Sequence, residues 1–120
     1  MLEDLIDNTE EQLALKVNKS GDTMTGNLNL KTVEPAALSG TYTITENLGQ
    51  IFNLDPNGAN RDVLLPPNPS IGQQVFIRNK ATTGAFNLIV KDSGGTAITR
   101  GAIANQVALV FTYFAEGWSV

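Results

Sequence analysis

Short runs of alternating apolar and polar residues, closed off by turn residues, predict a mainly β protein. From Thr41 onward seven such runs follow one another: 41–46, 50–55, 61–66, 73–79, 86–92, 96–100 and 106–114, with Trp118-Ser119-Val120 closing the chain. Turn residues separate them, among them Asp55-Pro56-Asn57-Gly58, Pro66-Pro67-Asn68-Pro69, Ser93-Gly94-Gly95 and Glu116-Gly117. The expected architecture is a short N-terminal helix in a trimeric bundle, a collar strand, and a compact antiparallel β-sandwich or barrel, the whole a homotrimer. The expected divisions are 1–17 (oligomerisation and attachment helix), 18–32 (collar strand), 33–40 (linker) and 41–120 (β head).

The helix rests on spacing. Leu2, Ile6, Thr9 and Leu13 recur at intervals of four, three and four, the seam of a helix packed on other helices. Acidic residues crowd its first turns, where the helix dipole favours negative charge. So short a helix is marginal in water unless its apolar face is covered, either by its own chain or by sister copies. After the Gly21-Asp22 turn, residues 23–31 alternate with a period of two. Met24, Gly26, Leu28 and Leu30 share one face, and Thr and Asn residues share the other. A lone strand cannot bury that face, whereas three copies about an axis can, with Gly26 leaving room near it.

Within the head, the expected inward residues are Tyr42, Ile44, Phe52, Leu54, Val63, Leu65, Val75, Ile77, Phe86, Leu88, Val90, Val107, Leu109, Phe111 and Tyr113. Ile51, Leu64, Phe76, Ile89, Val110 and Phe114 fall on the opposite face. A head of this size has one core and cannot hide both faces of a sheet, so a subunit interface or an overlaid helix is expected to cover the second.

Charge is unevenly placed. Residues 1–15 carry Glu3, Asp4, Asp7, Glu10 and Glu11 and no base, whereas the rest holds eight basic and seven acidic side chains. A near-neutral body lacks the basic stripe that nucleic acid or an anionic membrane requires. No apolar run reaches the ~20 residues of a membrane span. The opening MLEDLIDNTEEQ is acidic where a secretory signal is basic and then apolar, which predicts a soluble product without an address label.

The run Lys19-Ser20-Gly21-Asp22-Thr23-Met24-Thr25-Gly26-Asn27-Leu28-Asn29-Leu30 resembles the short repeat of bacteriophage tail fibres and related virion appendages, which reads Gly-Asp-Thr-Met-Thr-Gly-x-Leu-x-Leu. In that family the repeat lies in homotrimeric shafts. The resemblance therefore implies a trimer located on the virion and assembled in the host cytoplasm. It also implies a second virion protein, of tail or capsid, as partner of the N-terminal helix. A single copy of the repeat suggests a collar or stub. More loosely, Tyr42-Thr43-Ile44-Thr45, Leu65-Pro66-Pro67 and the closing Trp118-Ser119-Val120 are similar in pattern to small β modules that end phage virion proteins.

Catalytic chemistry finds little support. The chain has no Cys and no His, which removes thiol nucleophiles, imidazole bases and Cys/His zinc sites. No Gly-x-Ser-x-Gly elbow occurs, and Glu46, Asp55, Asp62, Asp92 and Glu116 show no spacing that favours a catalytic pair. Neither an enzyme nor a cofactor is expected. The loop Asp55–Asp62 has oxygen donors in loose calcium-like order but lacks the closing Glu of an EF-hand, so no metal is expected either. Host-surface binding is the expected activity, with a glycan as candidate ligand. Asn57, Asn60, Arg61, Thr82 and Thr83 lie in polar loops, while Tyr113 and Trp118 offer rings for stacking on a sugar or, alternatively, for capping the core. Two other readings remain open: a capsid decoration protein without a receptor, and a monomeric bacterial carbohydrate-binding module.

Overall fold

The computed structural model describes residues 30–45 and 50–120, and among them there are nine strands and no helix. The expected helix at 1–17 and the expected interface residues Leu2, Ile6, Thr9, Leu13, Met24, Gly26 and Leu28 lie outside the described residues; Leu30 is half-buried. The strands are β1 (Thr32–Val33), β2 (Tyr42–Thr43), β3 (Ile51–Leu54), β4 (Arg61–Leu64), β5 (Gln74–Asn79), β6 (Leu88–Lys91), β7 (Ala97–Ile103), β8 (Ala108–Phe114) and β9 (Gly117–Ser119). They form a first sheet in the order β1-β3-β5-β8-β9 and a second in the order β2-β4-β6-β7.

Up to β6 the chain alternates between the two sheets at every corner. Strands β1, β3 and β5 are therefore parallel neighbours in one sheet, and β2, β4 and β6 in the other. Only the last part turns back on itself: β7 is antiparallel to β6, β8 to β5 and β9 to β8. Both sheets are thus mixed, which corrects the expectation of an antiparallel sandwich or barrel.

The corner at Asn57-Gly58 explains the difference. Both residues have positive φ, 56° and 78°, as in the tightest hairpin turns. Here, however, the turn passes from β3 in one sheet to β4 in the other. Asp55 Oδ1 accepts the Asn57 amide at 2.9 Å, and Arg61 donates to the carbonyls of Pro56 at 2.7 Å and Asn57 at 3.1 Å. The corner also bonds to the β1–β2 corner one turn earlier, through Leu38 N to Asp55 O at 2.9 Å and Asn57 Nδ2 to Leu38 O at 3.3 Å. A strong local turn signal says that the chain reverses, but not which sheet it joins next.

The inner faces meet in one core of Leu38, Ile44, Phe52, Leu54, Val63, Leu65, Val75, Ile77, Leu88, Val90, Ile103 and Phe111. Most of these follow from strict alternation, as in β3, where Phe52 and Leu54 are buried and Ile51 and Asn53 are not. Tyr42 meets Phe52 edge-on with ring centres 6.2 Å apart, and burial pushes its phenol above the ordinary range.

Phe86 and Val107 were expected inside but are 37% and 41% exposed. Each stands in a corner just before its strand begins, where alternation no longer holds; the Phe86 ring lies over Gly84. Tyr42, Leu109 and Tyr113 are half-buried. The span 33–40, read as a linker, contributes Val33 to β1 and Leu38 to the core.

Asn79 is the one buried polar side chain among the described residues. Its Nδ2 donates at 3.0 Å to the carbonyls of both Phe86 and Ile103, and its Oδ1 accepts the Ala81 amide at 3.0 Å. Its backbone pairs with Val107 O and Gln106 N. One side chain thereby ties the β5–β6 corner to the end of β7. Asn79→Ala should cost about 3 kcal/mol in thermal or denaturant unfolding, since it strands buried hydrogen-bonding groups. Asn79→Asp should be less destabilised at about pH 3 than at pH 7. Facing two carbonyl oxygens, the carboxyl must stay protonated, so its stability is lost as pH rises above the unfolded value of about 3.9.

Candidate ligand-binding cleft

The edge strands β7 and β9 meet on one open side of the sandwich. There β7 departs from regular pairing. Ile89 lies opposite Ala102 and Lys91 opposite Ala97, so the stretch between them on β7 forms a bulge. Within the bulge Arg100 has φ of +63°, a left-handed conformation uncommon for a residue with a side chain. Gly101 is buried, and a Cβ there would sit 2.9 Å from the Ile98 carbonyl oxygen and 3.1 Å from that of Val90. Only glycine permits this close approach. The short predicted strand 96–100 ended at this point. The real one continues through the bulge and buries Ile103.

Facing the bulge is the β8–β9 hairpin. Tyr113 pairs with Trp118 across the two strands, rings 5.4 Å apart at 65°, an edge-to-face contact that fixes both orientations. Both residues are half-buried, and Trp118 packs against the core. A third element completes the cleft. Asp92 Oδ1 accepts the amides of Gly94 and Thr96, each at 2.9 Å, and so shapes the turn between β6 and β7.

These elements border two adjoining open hollows. The larger, about 490 Å³, is lined by residues including Asp92, Ser93, Thr96, Thr99, Tyr113, Glu116 and Trp118. The smaller, about 310 Å³, takes in Arg100, Phe114 and Ser119 and shares Thr99, Glu116, Gly117 and Trp118 with its neighbour. Trp118 therefore borders both. The larger hollow has two carboxylates and no Lys or Arg in its lining; Arg100 adds a cation on the smaller side.

The seven residues expected to contact a receptor fall in three places. Tyr113 and Trp118 line the large hollow. Asn57, Thr82 and Thr83 share a separate one of about 220 Å³ with Asp55 and Lys80. Asn60 and Arg61 flank a third, of about 210 Å³, beside Gly40 and Thr41. Three of them are engaged in the scaffold: Asn57 and Arg61 build the corner described above, and Asn60 Oδ1 accepts the Asn87 amide at 2.7 Å.

Of the oxygen donors in the 55–62 loop, Asp55 Oδ1 accepts the Asn57 amide, Asn60 Oδ1 that of Asn87, and Asp62 pairs with Lys91 at 2.9 Å. Asp92, Thr96, Thr99, Arg100 and Glu116 were not singled out as contacts in the sequence. The Arg100-Gly101 pair inside a β run was the available sign of a bulge.

The residues with apolar character on both sides also separate. Ile51, Phe76 and Val110 lie side by side in one row across the outer face of the first sheet. Phe114 lies on the same face, and Val110 and Phe114 are 37% and 45% exposed. Leu64 and Ile89 belong to the outer face of the second sheet, where the Lys91–Asp62 pair lies beside them.

Compared with models of known protein families and with curated proteins, the sequence finds no match. Gly101→Ala tests whether the bulge shapes the cleft. It should lower the melting temperature and shift the emission of Trp118, the single tryptophan, while an unmoved spectrum would detach the bulge from the hairpin.

Proposed function

We propose that this chain is a structural protein of a bacteriophage virion, a short homotrimeric fibre or knob on the tail or capsid surface that contributes to adhesion to the host. The observation that carries the reading is the uninterrupted fibre-type run from Lys19 to Leu30. The apolar row of Ile51, Phe76 and Val110 supports it, because that row lies on the outer face of the first sheet, where Ile51 and Phe76 are half-buried and Val110 is exposed.

In the proposed trimer each first sheet turns this face toward the threefold axis, and the rows from three copies cover one another. Gln74 and Thr112, bonded across β5 and β8 at 3.3 Å, flank the row on one side. On the other, Asn53 is bonded to Glu34 and Arg78, which supplies a polar rim. The acidic helix at 1–17 mounts the trimer on another virion protein. Adhesion without turnover gains from this arrangement, since three weak sites held at fixed spacing act together through effective concentration.

Light scattering or native mass spectrometry of the purified chain should give three times the chain mass. Phe76→Glu should reduce it to the mass of one chain with the β circular-dichroism signal preserved, since three carboxylates cannot share a dry axis. A wild-type monomer at high concentration, or a variant that stays trimeric with unchanged melting, would overturn the reading.

A further inference from the structure

We propose that the two hollows bordering Trp118 form one saccharide-binding groove, selective for neutral hexose or N-acetylhexosamine units and closed to polyanionic glycans. The inference rests on the adhesive part of the proposed function and identifies the ligand class of this cleft.

Four features on the open side of the sandwich carry it. First, Trp118 is a rigid, half-buried aromatic whose orientation is fixed by Tyr113 at 5.4 Å and by the core behind it. Such a ring offers apolar contact to the C–H face of a pyranose at little entropic cost.

Second, the groups around the ring suit hydroxyl-rich ligands. Ser93, Thr96 and Thr99 each donate and accept, Glu116 accepts, and Arg100 donates from a planar fork. Sugar hydroxyls also do both, so a ring lying over the indole can be met on its edges by either kind of partner. A lipid or an apolar small molecule finds no enclosed greasy chamber here.

Third, the charge distribution is selective. Asp92 and Glu116 line the larger hollow with no Lys or Arg among its walls. Uronic acid chains, sialylated glycans and phosphate-bearing polymers would bring like charge against them.

Fourth, the cleft is held by costly local structure. Arg100 occupies a left-handed conformation, Gly101 cannot carry a Cβ, and Asp92 spends one carboxylate oxygen on holding its turn. Strained positions of this kind persist where the surroundings over-determine them, and they cluster at binding sites. The hollows fall within or near the ~300–1,000 Å³ of small-ligand sites, but they are open, which suits weak single-site affinity of about millimolar.

The full chain tests this directly, because Trp118 is its only tryptophan and its emission reports on this groove alone. Chitotriose, maltotriose, cellotriose and trigalacturonate are titrated at matched ionic strength, with light scattering on the same samples. At least one neutral trisaccharide should give a saturable emission change, and trigalacturonate none. Arg100→Ala and Glu116→Gln should each weaken the response about fivefold or more at unchanged melting temperature.

No saturable change with any neutral trisaccharide would overturn the inference. So would a stronger response to trigalacturonate, or a response that both variants leave intact. A trimer without sugar response removes the groove and leaves the fibre reading standing, whereas a sugar-binding monomer does the reverse.

Discussion

The inner faces of the two sheets share a single layer of side chains, and each corner up to β6 has to span it. That requirement organises the molecule. Because successive strands lie on opposite sides of the layer, they cannot pair with each other, so they pair in parallel with the strand one turn earlier. The corners stack in the same order. Leu38 bonds to the corner at Asp55, Lys80 N donates to Leu54 O, and Asn79 fastens the next corner to the end of β7. Phe52, Phe111 and the aliphatic residues between them are thereby removed from water.

The same constraint creates both surfaces of interest. With one core between two sheets, apolar residues of the opposite parity on β3, β5 and β8 must face outward, and Ile51, Phe76 and Val110 do so in a single row. The antiparallel closing strands then leave β7 and β9 as edges on one open side. Long unbroken edges invite association with other chains, and the bulge at Arg100-Gly101 interrupts this one. It also turns Thr99 and Arg100 toward the hairpin that carries Trp118, so the device that blunts the edge frames the cleft.

Much of this was legible from residue order. The runs at 50–55, 61–66, 73–79 and 106–114 each contain an observed strand, and alternation within them identifies Phe52, Leu54, Val63, Val75, Ile77 and Phe111 as core. Pairing was not legible, because the Asp55–Gly58 turn has the same local chemistry whether the next strand returns to the same sheet or crosses to the other. Polar loop residues were also ambiguous. Asn57, Asn60 and Arg61 have the composition of a binding loop, yet their hydrogen bonds hold corners together. Tyr113 and Trp118 were visible as rings, but Asp92 and Arg100 reach the same cleft through a turn and a bulge set by tertiary packing.

The central claim is that the outer face of the first sheet is covered by sister chains about a common axis. Because the chain contains no cysteine, Val110→Cys introduces a single thiol beside Phe76 in the apolar row of that face. Under mild oxidation the account predicts disulfide-linked pairs on a denaturing gel, since thiols meeting across an axis come within the ~6 Å Cα spacing a disulfide needs. Ala102→Cys, on the outer face of the second sheet, should remain unlinked. Equal linkage at the two positions, or none at Val110, would contradict the account.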